Sequence, residues 1–157
     1  MLGSSGKQKA SVLGMPSAGP IADANDDPKW MQFVADYKAA FPKGFPSPSL
    51  FAHGYYVSTL ALLTALDKIN GDVSDGGDKL RATLASLELD TPTGKIKLDA
   101  NRNAVADIFL TEVAEGSDGK LYNKVVKVVK GVNQTLGQPV EDFLKLGKVG
   151  RDNPSCP

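Results

Sequence analysis

The chain has little of the side-chain chemistry that catalysis and metal binding require. Its 157 residues include one histidine, His53, and one cysteine, Cys156. A lone thiol supplies neither a disulfide framework nor a cysteine metal site. A Cys/His nucleophile pair would need the C-terminal tail to return to His53, and no serine lies in a Gly-x-Ser-x-Gly elbow. The sequence therefore predicts a protein that is not an enzyme and that holds no metal and no cofactor.

The chain also lacks an excess of charge and a long apolar run. Lysine and arginine together number 18, as do aspartate and glutamate, so nothing favours nucleic acid as a partner. No apolar stretch is long enough to cross a bilayer, so no direct membrane insertion is expected. Residues 1–7 have no apolar signal segment. This favours either the cytoplasm or a signal that lies upstream of Met1.

Three helices are predicted in the first two thirds of the chain. Asp27 can cap the first, with Pro28 in its first turn, and Ser49 can cap the second. The second is apolar almost all round, so we expect it to be buried on most faces. Asn70 and Gly71 supply a left-handed stop after it. The predicted helices cover residues 28–41, 49–69 and 78–87.

Strands are predicted on either side of these helices. The apolar run at residues 10–14 predicts the end of a buried strand. Residues 15–27 are predicted to form a loop. Residues 95–99 alternate with a period of two, which indicates a strand with one wet face. Residues 105–113 and 121–129 are joined by Gly-Ser-Asp-Gly and predict an antiparallel hairpin. Residues 139–146 are expected to form one or two helical turns.

The segment after the alternating strand resembles the start of a calcium loop but does not complete one. Asp99, Asn101 and Asn103 stand at the first three ligand positions. Ala104 replaces the turn glycine, and Leu110 stands where the bidentate glutamate is needed. We interpret this segment as a polar turn between strands.

The candidate binding residues lie at the start of the second helix. Phe51, His53 and Tyr55 stand there among apolar neighbours. The N-terminus of a helix offers free N–H groups and a positive dipole end that suit a carboxylate. The alternative is plain core packing for Phe51 and Tyr55, and a buried, hydrogen-bonded histidine for His53. The sequence leaves both interpretations open.

Four segments in succession resemble a known family. Pro48-Ser49-Leu50-Phe51-Ala52-His53-Gly54-Tyr55 is similar to the helix start "PS-x-(F/Y)-A-x-x-GY" of solute-binding proteins of the branched-chain amino acid type. The run at 60–72 is similar to that family's "ALLxALxxxxGD". The run at 90–101 resembles its "DTPxGxxxFDxNG", although Arg102 replaces the usual glycine. Residues 119–125 are similar to its penultimate strand.

The resemblance implies an α/β fold. The chain would be the C-terminal portion of a two-lobe type I periplasmic-binding-protein fold, with helices of the first lobe, hinge strands and a returning antiparallel hairpin. Residues 1–27 would form a strand and hinge crossing, and residues 28–99 the closing helices and strand of the first lobe. Residues 100–146 would form a hinge crossing and the hairpin of the second lobe, and residues 147–157 a polar tail.

The function implied by the resemblance is that of the substrate-binding component of an ABC transporter. Such a protein captures branched-chain amino acids, or related aromatic or organic acids, in the periplasm and delivers them to a membrane permease. Phe51, His53 and Tyr55 would contact the solute. The closing residues 151–157 resemble a tail found in a subset of these proteins, some of which handle aromatic or other organic acids. The alternative is a ligand-sensing domain of a regulator or receptor built on the same fold.

Overall fold

The protein has a mixed α/β fold, as the sequence predicts. The computed structural model describes residues 7–147 and Gly150. Cys156 and most of the predicted polar tail lie outside the described residues. The elements in chain order are α1 (Lys7–Val12), β1 (Pro16–Gly19), α2 (Pro28–Ala40), α3 (Leu50–Lys68), α4 (Asp78–Ser86), β2 (Glu88–Thr91), β3 (Gly94–Leu98), β4 (Ala104–Glu115), β5 (Leu121–Val132) and α5 (Val140–Lys145).

The three long helices begin and end where their capping residues predict. The Asp27 side chain accepts a hydrogen bond from the Lys29 backbone N–H at 2.8 Å, and Pro28 is the first helical residue of α2. Asn70 and Gly71 both have positive φ, and the Gly71 N–H donates to the Leu66 carbonyl at 2.8 Å. These local interactions define the start of α2 and the end of α3, and the predicted bounds of α2, α3 and α4 are confirmed to within one residue at either end.

The five strands form one antiparallel sheet, in which β1 comes before the three long helices in the chain, the other four strands come after them, and β4 is the central strand. The order is β1-β4-β3-β2, and β5 also pairs with β4. Both β1 and β5 pair with residues 109–112 of β4, so they flank those residues on opposite edges. The pairing of β4 with β5 confirms the predicted hairpin. Its loop closes through the Gly116 N–H, which donates to the Lys120 carbonyl at 2.8 Å.

A bulge interrupts the long hairpin near the start of β4. Lys130 and Gly131 lie opposite the single residue Asp107. The Asp107 carboxylate accepts from the Gly131 N–H at 3.0 Å and forms an ion pair with Lys130 at 2.7 Å. The side chain of Asp107 thereby accepts a hydrogen bond from the Gly131 N–H, a backbone donor that the bulge removes from the regular ladder.

The turn between β3 and β4 is closed by Asp99, as the polar-turn interpretation requires. Its carboxylate accepts from the backbone N–H groups of Asn101 and Asn103, both at 2.9 Å. Arg102 lies in this turn with φ of 65°, in the left-handed region. That conformation explains why the family pattern has glycine at this position.

Two strand predictions at the ends of the helical region were wrong. Residues 10–12 belong to α1, and the strand is β1, inside the predicted loop 15–27. Backbone bonds to β4 decide this, since the Gly14 N–H donates to the Val113 carbonyl and the Val113 N–H to the Met15 carbonyl. The second error is β2, which was not predicted as a strand. It pairs with β3 from Glu88↔Lys97 to Thr91↔Gly94.

The prediction that the second helix is buried on most faces was also wrong. Among its residues only His53 and Ala65 are buried. Leu50, Leu62 and Leu63 are each about half exposed. The reason is that α3 packs mainly against α4 and meets the β2–β3 turn through His53, so much of its apolar circumference has no element to pack against.

Candidate functional site

The start of α3 is held in place by a rigid connection and a side-chain cap. Residues 42–48 contain three prolines and end at Pro48, which is fully buried. Ser49 follows in extended conformation, and its hydroxyl accepts a hydrogen bond from the Ala52 N–H at 3.1 Å. The first two turns of α3, which carry the three predicted binding residues, therefore have a defined position and direction.

His53 joins this turn to the interior. Its side chain is 4% exposed, and its Nε2 atom shares a hydrogen bond of 3.1 Å with the Oγ1 atom of Thr93, in the tight turn between β2 and β3. The rings of Trp30 and Phe33 on α2 each have their centroid 6.2 Å from that of His53. One histidine therefore contacts α2 and the β2–β3 turn at once.

Hydrogen bonds of Thr91 within the β2–β3 turn hold Thr93, the partner of His53, in position. The Thr91 hydroxyl donates to the Gly94 carbonyl at 2.6 Å and accepts from the Thr93 N–H at 3.3 Å. Both threonine side chains are buried. Burial lowers the pKa of His53, because the cationic form loses its hydration and gains no acidic partner. The imidazole is thus neutral at pH 7.

Phe51 and Tyr55 lie on the opposite side of α3 from His53. Two residues along a helix rotate a side chain by about 200°, and four residues return it to nearly the same face. Both aromatic side chains are 76% exposed. The structure therefore brings Phe51 and Tyr55 together on a surface and places His53 in the core, so the three do not form one cluster.

A groove between α2 and α3 adjoins this surface and was not predicted from the sequence. Its volume is about 490 Å³. The α2 wall consists of side chains spaced four residues apart, and Ala40 and Ala52 leave the space between the helices open. The groove is lined by Phe33, Asp36, Tyr37, Ala40, Phe41, Ala52, Tyr55 and Tyr56. Its signal in the sequence is the spacing of Phe33, Tyr37 and Phe41, which stand four residues apart.

A smaller and more polar cleft of about 290 Å³ continues from the groove toward β2. Phe33, Asp36 and Tyr56 line both. At its far wall Lys29 forms an ion pair with Asp90. Apolar and charged surfaces therefore meet at Asp36.

The described part of the chain contains no cluster of three histidine, cysteine, aspartate or glutamate side chains that could hold a metal ion. Within the same residues, no helix has both the length and the apolar character that crossing a membrane requires. The chemistry that remains at the surface of α2 and α3 is aromatic stacking, apolar contact and a few isolated charges.

Comparison with known proteins identifies the fold. The sequence model of the periplasmic binding protein family matches residues 2–120. A solute-binding protein of an ABC transporter from Rhodopseudomonas palustris BisB5, solved in complex with 3,4-dihydroxy benzoic acid, is 29% identical, with a TM-score of 0.71. That alignment covers 84% of this chain and 34% of the other.

Two further solved structures have the same fold. An ABC transporter substrate-binding protein from Sphaerobacter thermophilus is 25% identical over 77% of this chain and 32% of its own, with a TM-score of 0.70. The leucine-, isoleucine-, valine-, threonine- and alanine-binding protein from Brucella ovis is 16% identical over 83% of this chain and 34% of its own, with a TM-score of 0.65. This chain therefore spans about one third of the length of these proteins. No curated protein sequence matches it.

Proposed function

The chain belongs to the periplasmic binding protein family, and we propose on that basis that it is part of the solute-capturing component of an ABC transporter. The complete protein would bind a small molecule in the periplasm and present it to a membrane permease. The observation that carries this proposal is the family match over residues 2–120. Two relatives at 25% and 29% identity, both described as binding proteins of ABC transporters, support it.

For the solute we propose an aromatic acid. The relative at 29% identity holds 3,4-dihydroxy benzoic acid. The surface at the start of α3 suits such a ligand, because Phe51 and Tyr55 expose two rings one helical turn apart. Branched-chain amino acids are the alternative class of solute, since the Brucella ovis protein that binds them shares the fold.

Within this site we propose different roles for the three predicted residues. Phe51 and Tyr55 would contact the solute directly, since their side chains are free to do so. The buried His53 would act as a positioning residue, because its bond to Thr93 fixes the turn that carries the two rings.

We propose the same division of the chain as the sequence suggested. Residues 28–99 would close the first lobe, and residues 100–146 would cross the hinge and return to the second. The arrangement of β4 is consistent with this division, because β3 pairs only with its first two residues and β1 only with residues 109–112.

The test is calorimetry on the complete protein, produced from the full reading frame, with 3,4-dihydroxybenzoate, benzoate and leucine. We expect micromolar binding of an aromatic acid, and roughly fivefold weaker binding in Phe51→Ala and in Tyr55→Ala, because each loses a ring contact of about 1 kcal/mol. Phe45→Ala is the matched control, since Phe45 is an exposed aromatic residue outside this surface. Unchanged affinity in both variants would refute the site, and no binding of any solute would refute the function.

A further inference from the structure

The groove between α2 and α3 has chemistry that the proposed solute does not use. Its walls are formed by five aromatic side chains, two of which, Phe33 and Tyr56, already pack together with ring centroids 4.8 Å apart. Tyr37 and Phe41 form a second pair at 5.3 Å. The five are Phe33, Tyr37, Phe41, Tyr55 and Tyr56. Such rings present negative electrostatic potential from their faces.

Asp36 is the single charged residue that lines this groove. Its carboxylate accepts one hydrogen bond, from the Gln32 side-chain amide at 2.8 Å. Among the described residues no lysine or arginine forms an ion pair with Asp36. The nearest lining cation, Lys29 of the adjoining cleft, is paired with Asp90. The groove therefore combines aromatic faces with an anionic group that has no cationic partner.

We propose that this groove binds a small organic cation with an apolar body, such as an aromatic or alkyl ammonium. Aromatic faces and a carboxylate both favour a cation, and the volume of about 490 Å³ lies in the range of small-molecule sites. An aromatic carboxylate would meet repulsion from Asp36. The groove shares Tyr55 with the surface proposed for the acid solute, but Asp36 and the α2 rings belong to the groove alone, and the proposal does not depend on that function.

The probe is benzyltrimethylammonium, titrated into the ¹⁵N-labelled chain while amide chemical shifts are followed. We expect saturable shifts confined to α2 and the first half of α3, with a millimolar or lower dissociation constant. Benzyl alcohol, which has the ring without the charge, is expected to bind more weakly. Benzoate is expected to leave the amides of α2 unshifted. Equal or tighter binding of benzoate at the α2 amides would overturn the proposal, as would the absence of saturable shifts with the cation.

Two pairs of variants separate the cation site from general surface effects. Asp36→Asn and Tyr55→Leu should each weaken binding of benzyltrimethylammonium about two- to fivefold, the size of one exposed ion-pair or cation–π contact. Asp67→Asn removes an exposed carboxylate at the other end of α3, and Phe45→Leu an exposed ring outside the groove. Neither control should change the affinity. Identical affinity in Asp36→Asn and the unmodified chain would refute the role of charge.

Discussion

Lowering the pH from 7 to 5 is expected to destabilise the chain through one residue, His53. It is the only histidine in the sequence, and it is buried beside Thr93 without an acidic neighbour. Its pKa is lowered from 6.5 in the folded state, so the unfolded chain binds more protons over this range. The contribution of His53 to the free energy of unfolding is therefore fully present above pH 6.5 and decreases as the pH falls below that value.

The magnitude has an upper limit set by the unfolded histidine. If His53 stayed neutral in the folded state down to pH 5, the free energy of unfolding would fall by about 2 kcal/mol between pH 7 and pH 5. Ordinary carboxylates do not contribute, because they stay ionised in both states over this range. Asp72, whose pKa is lowered to about 2 chiefly by its hydrogen bond from Lys79, becomes relevant only at lower pH.

The assay is urea unfolding at several pH values, at low protein concentration, on the unmodified chain and on His53→Gln. Glutamine can still hydrogen-bond to Thr93 but does not titrate, so the variant should lose the dependence on pH between 7 and 5. If it proves too unstable to measure, the ring protons of His53 can be titrated by NMR in the unmodified chain. The reasoning fails if His53→Gln keeps the same pH dependence, or if the ring titrates at or above pH 6.5.

Three further predictions concern the turns and the exposed face of α3. Arg102→Gly should raise the free energy of unfolding by about 1 kcal/mol in a urea titration, because glycine adopts φ of 65° without strain; no gain would contradict that account of the turn. Gly94→Ala should lower the free energy of unfolding by roughly 2 kcal/mol, since φ of Gly94 is 112° and a Cβ atom would lie 2.8 Å from Oδ2 of Asp107. The control is Gly54→Ala, which adds a Cβ atom in open space within α3 and should not destabilise the chain. The isolated chain should self-associate in sedimentation experiments, because Leu62 and Leu63 are exposed, and Leu63→Lys should reduce this; a monomer for the unmodified chain would refute it.

The elements that could be predicted from the sequence are those with local causes. Asp27, Ser49 and Gly71 determine helix ends by bonds to residues within five positions, so their effect is visible in the sequence. The β4–β5 hairpin could also be predicted from the sequence, because its turn and its two apolar runs are contiguous in the chain. Such features need no knowledge of the rest of the fold.

What could not be predicted depends on partners distant in the chain. The strand β1 has the composition of a loop and is a strand only because residues 109–112 of β4 pair with it. The groove requires the relative position of α2 and α3, which no spacing within either helix reveals. The separation of His53 from Phe51 and Tyr55 is different, since a rotation of about 200° over two helical residues already implied it.

The bulge at Asp107 has a mechanical consequence. From Asp107 to Glu115 the strand β4 extends about 26 Å at roughly 3.3 Å per residue, so it acts as a lever arm. A rotation of 10° at the bulge would displace the hairpin tip by about 4–5 Å, given that arm length. Neither the pairs of β3 with residues 104 and 105 nor those of β1 with residues 109–112 include Asp107. Bending there would leave both sets of pairs intact, and it would strain the contacts of Asp107 with Lys130 and Gly131 and the hydrogen bond that the Ala24 N–H donates to the Asn123 carbonyl.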